Sequence, residues 1–498
     1  MKFQGESCEA ALVFMLLLNR WKIDALAINF AITVVMLYFG QTVQRVQRES
    51  TLKLVYRKKC DDAFIQLVVI SIFLDQTPLH YCTTGLLIFG IYVCLGPLIF
   101  LVSSVSFIII LMMTLETESI GLLVIGLIVM LLFHISLVRM NPNSFSFAEA
   151  GFISQGATFV MQQFFSQIYF HDLSSKEDIS TFILLTLSSS ILGVVLMLPV
   201  LYCRANSYTG MDLIALSIYF YICSIVIVLF VYIPSCFYLM GYNPVLWMWQ
   251  EITANKFRTT LVVYWLLLVS ISVAIVFWFS NGRPEIPKTI VRKMFHVLAF
   301  LIFIPLYKDI EFVAMVTVIV FVIFIQLELV RVNKIIPLGK YLTLLLEPLR
   351  EEQDSGPLLL THIYLLTGLS LPLWLIVADK EFNFKFQNDA FYFLSVYSGV
   401  ISLCIGDSFA SVFGKLIGKT KWPDRNKTYV GTMACFLSMF LFSLILLYGF
   451  NFDLKLGLLL HLFFLCLCVS LLESVSLQVD NLVLPLYTFL LCRAFSDA

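Results

Sequence analysis

Residues 311–330 read EFVAMVTVIVFVIFIQLELV. Between Phe312 and Leu327 nothing is charged, and only Thr317 and Gln326 are polar. A helix rises about 1.5 Å per residue, so about twenty such residues cross the hydrocarbon of a bilayer. Working outward, comparable runs lie near 21–40, 82–105, 119–139, 180–202, 212–241, 259–280, 358–378, 390–406, 432–450 and 456–475. Shorter or more polar candidates lie near 8–19, 64–75, 146–170, 291–307 and 482–495. The fold predicted is all-α, a polytopic integral membrane protein with about 12–16 transmembrane helices.

Composition agrees. Hydrophobic residues make up 60% of the 498 and charged residues 13%, about half of what a soluble domain carries. Mean hydropathy is +0.94, and the 46 Phe residues are more than a soluble core requires. Formal net charge is zero, which leaves no global electrostatic case for nucleic-acid binding. Glu6, Glu9, Arg20 and Asp24 interrupt the first apolar run, so the first helices are expected to stay as anchors and not to be cleaved. The twelve Cys residues are scattered through apolar runs without a CxxC pair and are expected to be buried free thiols.

The charges gather in a few places. Segments 42–59, 283–293 and 415–427 are basic, and the positive-inside rule puts all three on the cytosolic side. Ionisable residues become frequent at span ends after about residue 255. Residues 1–255 are therefore read as a scaffold or lipid-entry region and 256–498 as the site-bearing region.

Four clusters in the second region can carry chemistry. The strongest is Gly406-Asp407-Ser408-Phe409-Ala410-Ser411-Val412-Phe413-Gly414-Lys415-Leu416-Ile417-Gly418. On a helix Asp407, Ala410, Gly414 and Gly418 share one face, acidic at its start and nearly without side chains after it. Such a face admits another helix, as small-xxx-small motifs do, or a nucleotide with its phosphates. Lys419, Lys421, Trp422, Arg425, Lys427 and Thr428 follow, with cations for phosphate oxygens and a ring able to stack on a base or sit at the interface. Asp407 suits magnesium, which prefers oxygen donors and uses only one or two carboxylates.

The second cluster is Arg292-Lys293-Met294-Phe295-His296, whose cations and imidazole share a helix face and suit phosphate binding or proton transfer. The third is the acidic run from Glu351 to Pro357, followed by His362 inside an apolar stretch, where an ionisable group usually has a partner. Glu328 and Arg331 read as a structural ion pair. The fourth is Glu473, Gln478, Asp480 and Asn481, which interrupt the last hydrophobic stretch; Asp480 is a second carboxylate for metal or for a substrate hydroxyl.

These residues resemble the dolichol kinase family, CTP-dependent polyprenol kinases. The family pattern D-x-x-A-x-x-x-G-x-x-x-G, followed further on by K-K-T-x-E-G, is met by Asp407, Ala410, Gly414, Gly418, Lys427, Thr428 and Gly431. Asn426 stands where the pattern has its first Lys, and Val430 where it has Glu. The run from Asp354 to Tyr364, the Arg292-Lys293-x-x-His296 motif and the segment from Glu473 to Tyr487 resemble the same family.

The resemblance implies an endoplasmic reticulum membrane enzyme with a cytosolic site, which transfers the γ-phosphate of CTP to dolichol for protein glycosylation. It implies Asp407 and Asp480 as magnesium ligands. Ala410, Gly414, Gly418, Lys427, Thr428, Gly431 and Asn481 would bind the nucleotide, and Arg292 and Lys293 would offset developing charge. Either His296 or His362 would act on the hydroxyl. The alternatives are a CTP-dependent kinase or cytidylyltransferase for another lipid, a polytopic lipid transporter, or an inactive relative.

Overall fold

The computed structural model describes residues 132–170, 179–197, 213–280, 288–347, 350, 354–379, 382–423, 427–476 and 479–496. The spans expected near 8–19, 21–40, 64–75 and 82–105, and the basic segment 42–59, lie outside these residues, as do Gln478, Arg425 and Asn426.

The described chain is helical, and a single isolated bridge, Lys421 to Thr428, is the only β pairing among the described residues. The principal helices are α1 (Phe147–Phe170), α2 (Ile179–Leu196), α3 (Leu213–Leu239), α4 (Lys256–Ser280), α5 (Lys288–Phe303) and α6 (Ile310–Val332). They continue with α7 (Thr361–Val377), α8 (Ala390–Val396), α9 (Ser408–Leu416), α10 (Tyr429–Gly449), α11 (Leu456–Val475) and α12 (Asp480–Phe495). Six helices among the described residues are long and apolar enough to cross a membrane: α2, α3, α4, α6, α10 and α11. A seventh is added if α8 and the segment 400–416 form one span, bent by 68°. The protein is thus an all-α polytopic membrane protein.

Local chemistry fixes the ends of these helices. The Asp309 carboxylate caps α6 by accepting from the Phe312 amide at 3.0 Å, and Arg331 sits in the last turn, where the helix dipole favours a cation. Ser146 and Glu149 bond reciprocally at the start of α1 as a capping box. On α4, Leu266, Leu267 and Ile271 point outward, as a lipid-facing surface requires.

The core runs between α2, α6, α7, α8 and α12 and is filled by Phe182, Phe312, Tyr392, Phe393, Tyr487 and Phe489. Elements before and after residue 255 share it, since α2 packs on α6 and α7; within it Phe182 lies tilted against Trp247, and Trp265 lies parallel to Phe312. The family-like run from Asp354 to Tyr364 is also knitted into it. Arg331 donates to both Glu328 oxygens, at 2.8 and 2.6 Å, and to the Pro357 carbonyl at 2.7 Å. Glu328 accepts the Leu359 amide, Asp354 accepts from the Leu360 amide and the Thr361 hydroxyl, and the Tyr364 hydroxyl donates to Glu149. The Glu328–Arg331 pair is structural, as its spacing indicates, and it anchors this loop.

Candidate active site

Between α8 and α9, residues Val400–Asp407 wind as a π-helix. Such turns widen the helix and are frequent at functional sites. Small residues make it possible. A methyl on Gly399 would meet the Gly368 carbonyl and Leu369 Cα at 2.8 Å, and one on Gly406 would meet the Met439 sulfur at 2.8 Å. The wound segment packs against α5, α10 and α12 and ends at Asp407, buried among them.

Asp407 meets two groups from α5. Lys293 Nζ donates to its Oδ2 at 2.5 Å and to its main-chain carbonyl at 3.2 Å, and His296 Nε2 stands 3.3 Å from the same Oδ2. The spacing of Lys293 and His296, three apart on one helix, aims both at one carboxylate. The backbone of Arg292 is helical on α5, but its side chain lies outside the described residues.

A second group assembles beside the first. Lys427 Nζ lies 2.5 Å from Glu473 Oε1, at the end of α11, and 3.1 Å from Asp480 Oδ2, in the first turn of α12. One carboxylate oxygen each from Asp407, Glu473 and Asp480 fall within 4.8 Å of one another. At an effective dielectric of about 20, like unit charges about 4 Å apart repel by about 4 kcal/mol. Three carboxylates are therefore held together here only with cations, and Lys293 and Lys427 supply them. Burial alone would lower the ionisation range of Lys427. Asp480 first, then Glu473 and Asp407, outweigh burial and raise it, which favours the charged ammonium.

Lys427 is aimed by a short hairpin. The Trp422 amide donates to the Lys427 carbonyl at 3.0 Å, and the Tyr429 amide to the Thr420 carbonyl at 3.2 Å. Trp422 packs against Tyr429 with ring centroids 4.3 Å apart and the planes tilted by 32°, and its indole donates to Thr432. This ring, read from sequence as a base-stacking or interfacial group, braces the hairpin.

Thr428 caps α10 by accepting from the Gly431 amide at 3.1 Å. The small face of α9 receives this helix start. A methyl on Gly414 or Gly418 would approach the Thr428 hydroxyl to 3.0 or 2.6 Å, and one on Gly431 would approach the Ala410 carbonyl to 2.9 Å. Of the two occupants that the sequence admits for this face, a helix fills it. Ala410, Gly414, Gly418, Thr428 and Gly431 thus set how closely the start of α10, next to Lys427, approaches α9. Asn481 ties α12 to α7, its amide donating to the Thr361 carbonyl at 3.3 Å.

Two sequence expectations separate at this point. His296 stands on Asp407. His362 packs edge-on against Phe324, and the charges acting on it are Glu328, Asp354 and Arg331. Glu473 belongs to a cluster the sequence singles out, yet nothing local says that it meets Lys427. The signal available was a carboxylate buried near the end of an apolar span, where ionisable groups are costly unless partnered.

Comparison with known proteins supplies the family. Residues 93–403 match the dolichol kinase family profile. This chain belongs to the dolichol kinase family. The mouse dolichol kinase is 34% identical over 387 residues, 76% of this chain and 71% of that protein. The bovine dolichol kinase is 32% identical over 74% of this chain and 69% of its own length, and the human one 33% identical over 76% and 70%. No solved structure matches. The profile match stops short of Asp407. It therefore covers Lys293 and His296 but not Asp407, Lys427, Glu473 or Asp480.

Proposed function

We propose that this chain is a dolichol kinase that transfers the γ-phosphate of CTP to the terminal hydroxyl of dolichol. The observation that carries this reading is the convergence of Asp407, Glu473 and Asp480 with Lys293 and Lys427 inside an otherwise apolar bundle. Phosphoryl transfer asks a protein for positioning and charge stabilisation more than for covalent chemistry, and these groups suit both tasks.

The three converging oxygens are the hard donors that magnesium prefers, so Asp407, Glu473 and Asp480 would hold it. When bound, such an ion would neutralise charge on the nucleotide phosphates. Lys293 and Lys427 are placed to bind phosphate oxygens. The dolichol oxygen attacks the γ-phosphorus, the bond from that phosphorus to the β–γ bridging oxygen breaks, and CDP leaves. The hydroxyl proton passes to His296, which Asp407 orients. Geometry favours His296 over His362 for this step.

The acceptor enters from the lipid. Phe409, Val412, Phe413 and Leu416 form an exposed apolar face on α9, starting two residues after Asp407, and Phe409 stacks on Phe413. An isoprenoid chain lying there brings its polar end to the carboxylates. The basic hairpin and the positive-inside rule support a cytosolic site, and the family supports residence in the endoplasmic reticulum and a product used in protein glycosylation.

Purified protein in detergent with dolichol, magnesium and γ-labelled CTP or ATP tests this. Labelled dolichyl phosphate from CTP, with release of CDP, is the expected result. Pyrophosphate release would indicate a cytidylyltransferase, and label from ATP alone would remove the CTP assignment.

A further inference from the structure

We propose that Lys427 is a resident counter-ion, occupying the carboxylate site until a divalent cation enters, and that Glu473 is the fixed anchor of both. This rests on the kinase reading for the identity of the site but makes a separate claim about its nucleotide-free state.

The trio brings three carboxyl groups together, and only Lys293 and Lys427 bring ammonium groups to them. Lys293 is committed to Asp407, bonding its side chain and its main-chain carbonyl together, and its side chain is only 13% exposed. Lys427 is held differently. Both of its side-chain bonds go to carboxylates, Glu473 and Asp480, and its side chain is 34% exposed. Glu473 is 2% exposed, at the end of a long helix packed on α10 and α12, and has no room to withdraw. When the two groups must part, the lysine is the one that moves.

Separation follows from charge. The Lys427 ammonium lies against two of the three oxygens that would ligate a metal. A divalent cation and an ammonium cannot share such a site, because their repulsion is twice that of two unit charges at equal distance. Entry of the cation therefore releases Lys427 on its flexible stem toward the side from which a nucleotide arrives. A cation that enters with nucleotide phosphates gives Lys427 a new partner, whereas a cation alone gives it none. The lysine thus disfavours metal without nucleotide and favours metal with nucleotide. Glu473 is more than a packing residue on this view, because it holds whichever cation is present.

The test uses the full chain in detergent without nucleotide, with Mn2+ as the probe ion followed by electron paramagnetic resonance. Lys427→Met is expected to bind Mn2+ about tenfold more tightly than the unaltered protein, because the competing cation is gone. Glu473→Gln is expected to bind it at least about tenfold more weakly. Equal or weaker Mn2+ binding by a monodisperse, helical K427M would overturn the proposal, because a purely structural lysine gives that result.

A second measurement needs no variant. Amine-reactive labelling of Lys427, read by mass spectrometry, is expected to rise several-fold when Mn2+ is added. Unchanged or reduced labelling overturns the proposal even where K427M fails to fold. The two readings fail separately. Tighter Mn2+ binding by K427M in a protein that phosphorylates no dolichol would sink the kinase assignment and leave the counter-ion role. An active protein with the opposite metal behaviour would do the reverse.

Discussion

Lys293 donates to both the side-chain and the main-chain oxygens of Asp407, at 2.5 and 3.2 Å, across 114 positions of sequence. This contact joins α5 to the π-helical segment and fixes the carboxylate on which the site is built. Removing one member of a buried pair leaves the other charge uncompensated, at a cost of about 3–5 kcal/mol, whereas replacing both is often close to neutral. Lys293→Met is therefore expected to lower thermal stability strongly, and the double variant K293M/D407N to recover most of the loss. A double-mutant cycle of unfolding in detergent checks this, and additive losses would show that the two side chains do not depend on each other.

The glycines of the α9–α10 crossing differ in how much room they have. A methyl on Gly418 meets the Gly414 carbonyl at 2.3 Å and Thr428 Cβ at 2.9 Å, whereas one on Gly414 meets only the Thr428 hydroxyl as closely as 3.0 Å. Overpacking of this kind costs about 1–3 kcal/mol. G418A is expected to lose more stability than G414A, and more activity, because Thr428 neighbours Lys427. Melting temperatures of the two variants test the order.

The same reasoning separates the glycines of the π-helical segment. Gly399 faces backbone atoms of α7, and Gly406 faces the flexible end of Met439. G399A is expected to be the more damaging by about 1 kcal/mol or more. Equal stability of the two alanine variants would mean that the close approach of α7 does not shape this segment.

Lys427 sets a pH expectation. Its ionisation range is raised, with burial opposing and Asp480, Glu473 and Asp407 prevailing. A raised folded-state value gives stability that is fully present below the unfolded value of about 10.4 and is lost only as pH rises through the higher folded value. The stability difference between the unaltered protein and K427M should therefore stay constant from about pH 6 to pH 9. A difference that shrinks within that window would show the lysine losing its proton there.

Much of the architecture was legible in the sequence, because lipid demands long apolar runs and leaves few ways to arrange them. The run at 311–330 became Ile310–Val332, and the run at 456–475 became Leu456–Val475. Asp407, Lys427 and Asp480 were legible because their spacing follows a family pattern, and the structure brings all three together. Glu473 was not legible as their partner, since its meeting with Lys427 depends on how α11 packs on α10. The choice between His296 and His362 was likewise tertiary: each sits at the head of an apolar run, and only the packing of α5 on the π-helical segment puts one of them on Asp407. The small face of α9 had two possible occupants, and the helix start at Thr428 filled it.

Orientation has its own test. Asn426-Lys427-Thr428 forms a glycosylation sequon, which a cytosolic loop keeps silent. No glycan is expected on Asn426, and a cysteine introduced at Lys419 should react with an impermeant maleimide from the cytosolic side. A glycan at Asn426 would put the lysine hairpin in the wrong compartment for CTP.

The most direct measurement is transfer of the γ-label from CTP to dolichol by D407N, E473Q and D480N beside the unaltered protein. Each substitution removes one charge from the trio and keeps the side-chain shape. The expected result is label transfer by the unaltered protein and a loss of at least about a hundredfold in D407N, assayed below its lowered melting temperature, where it is still helical. Near-normal transfer by D407N, or by all three variants, would contradict a site built on these carboxylates.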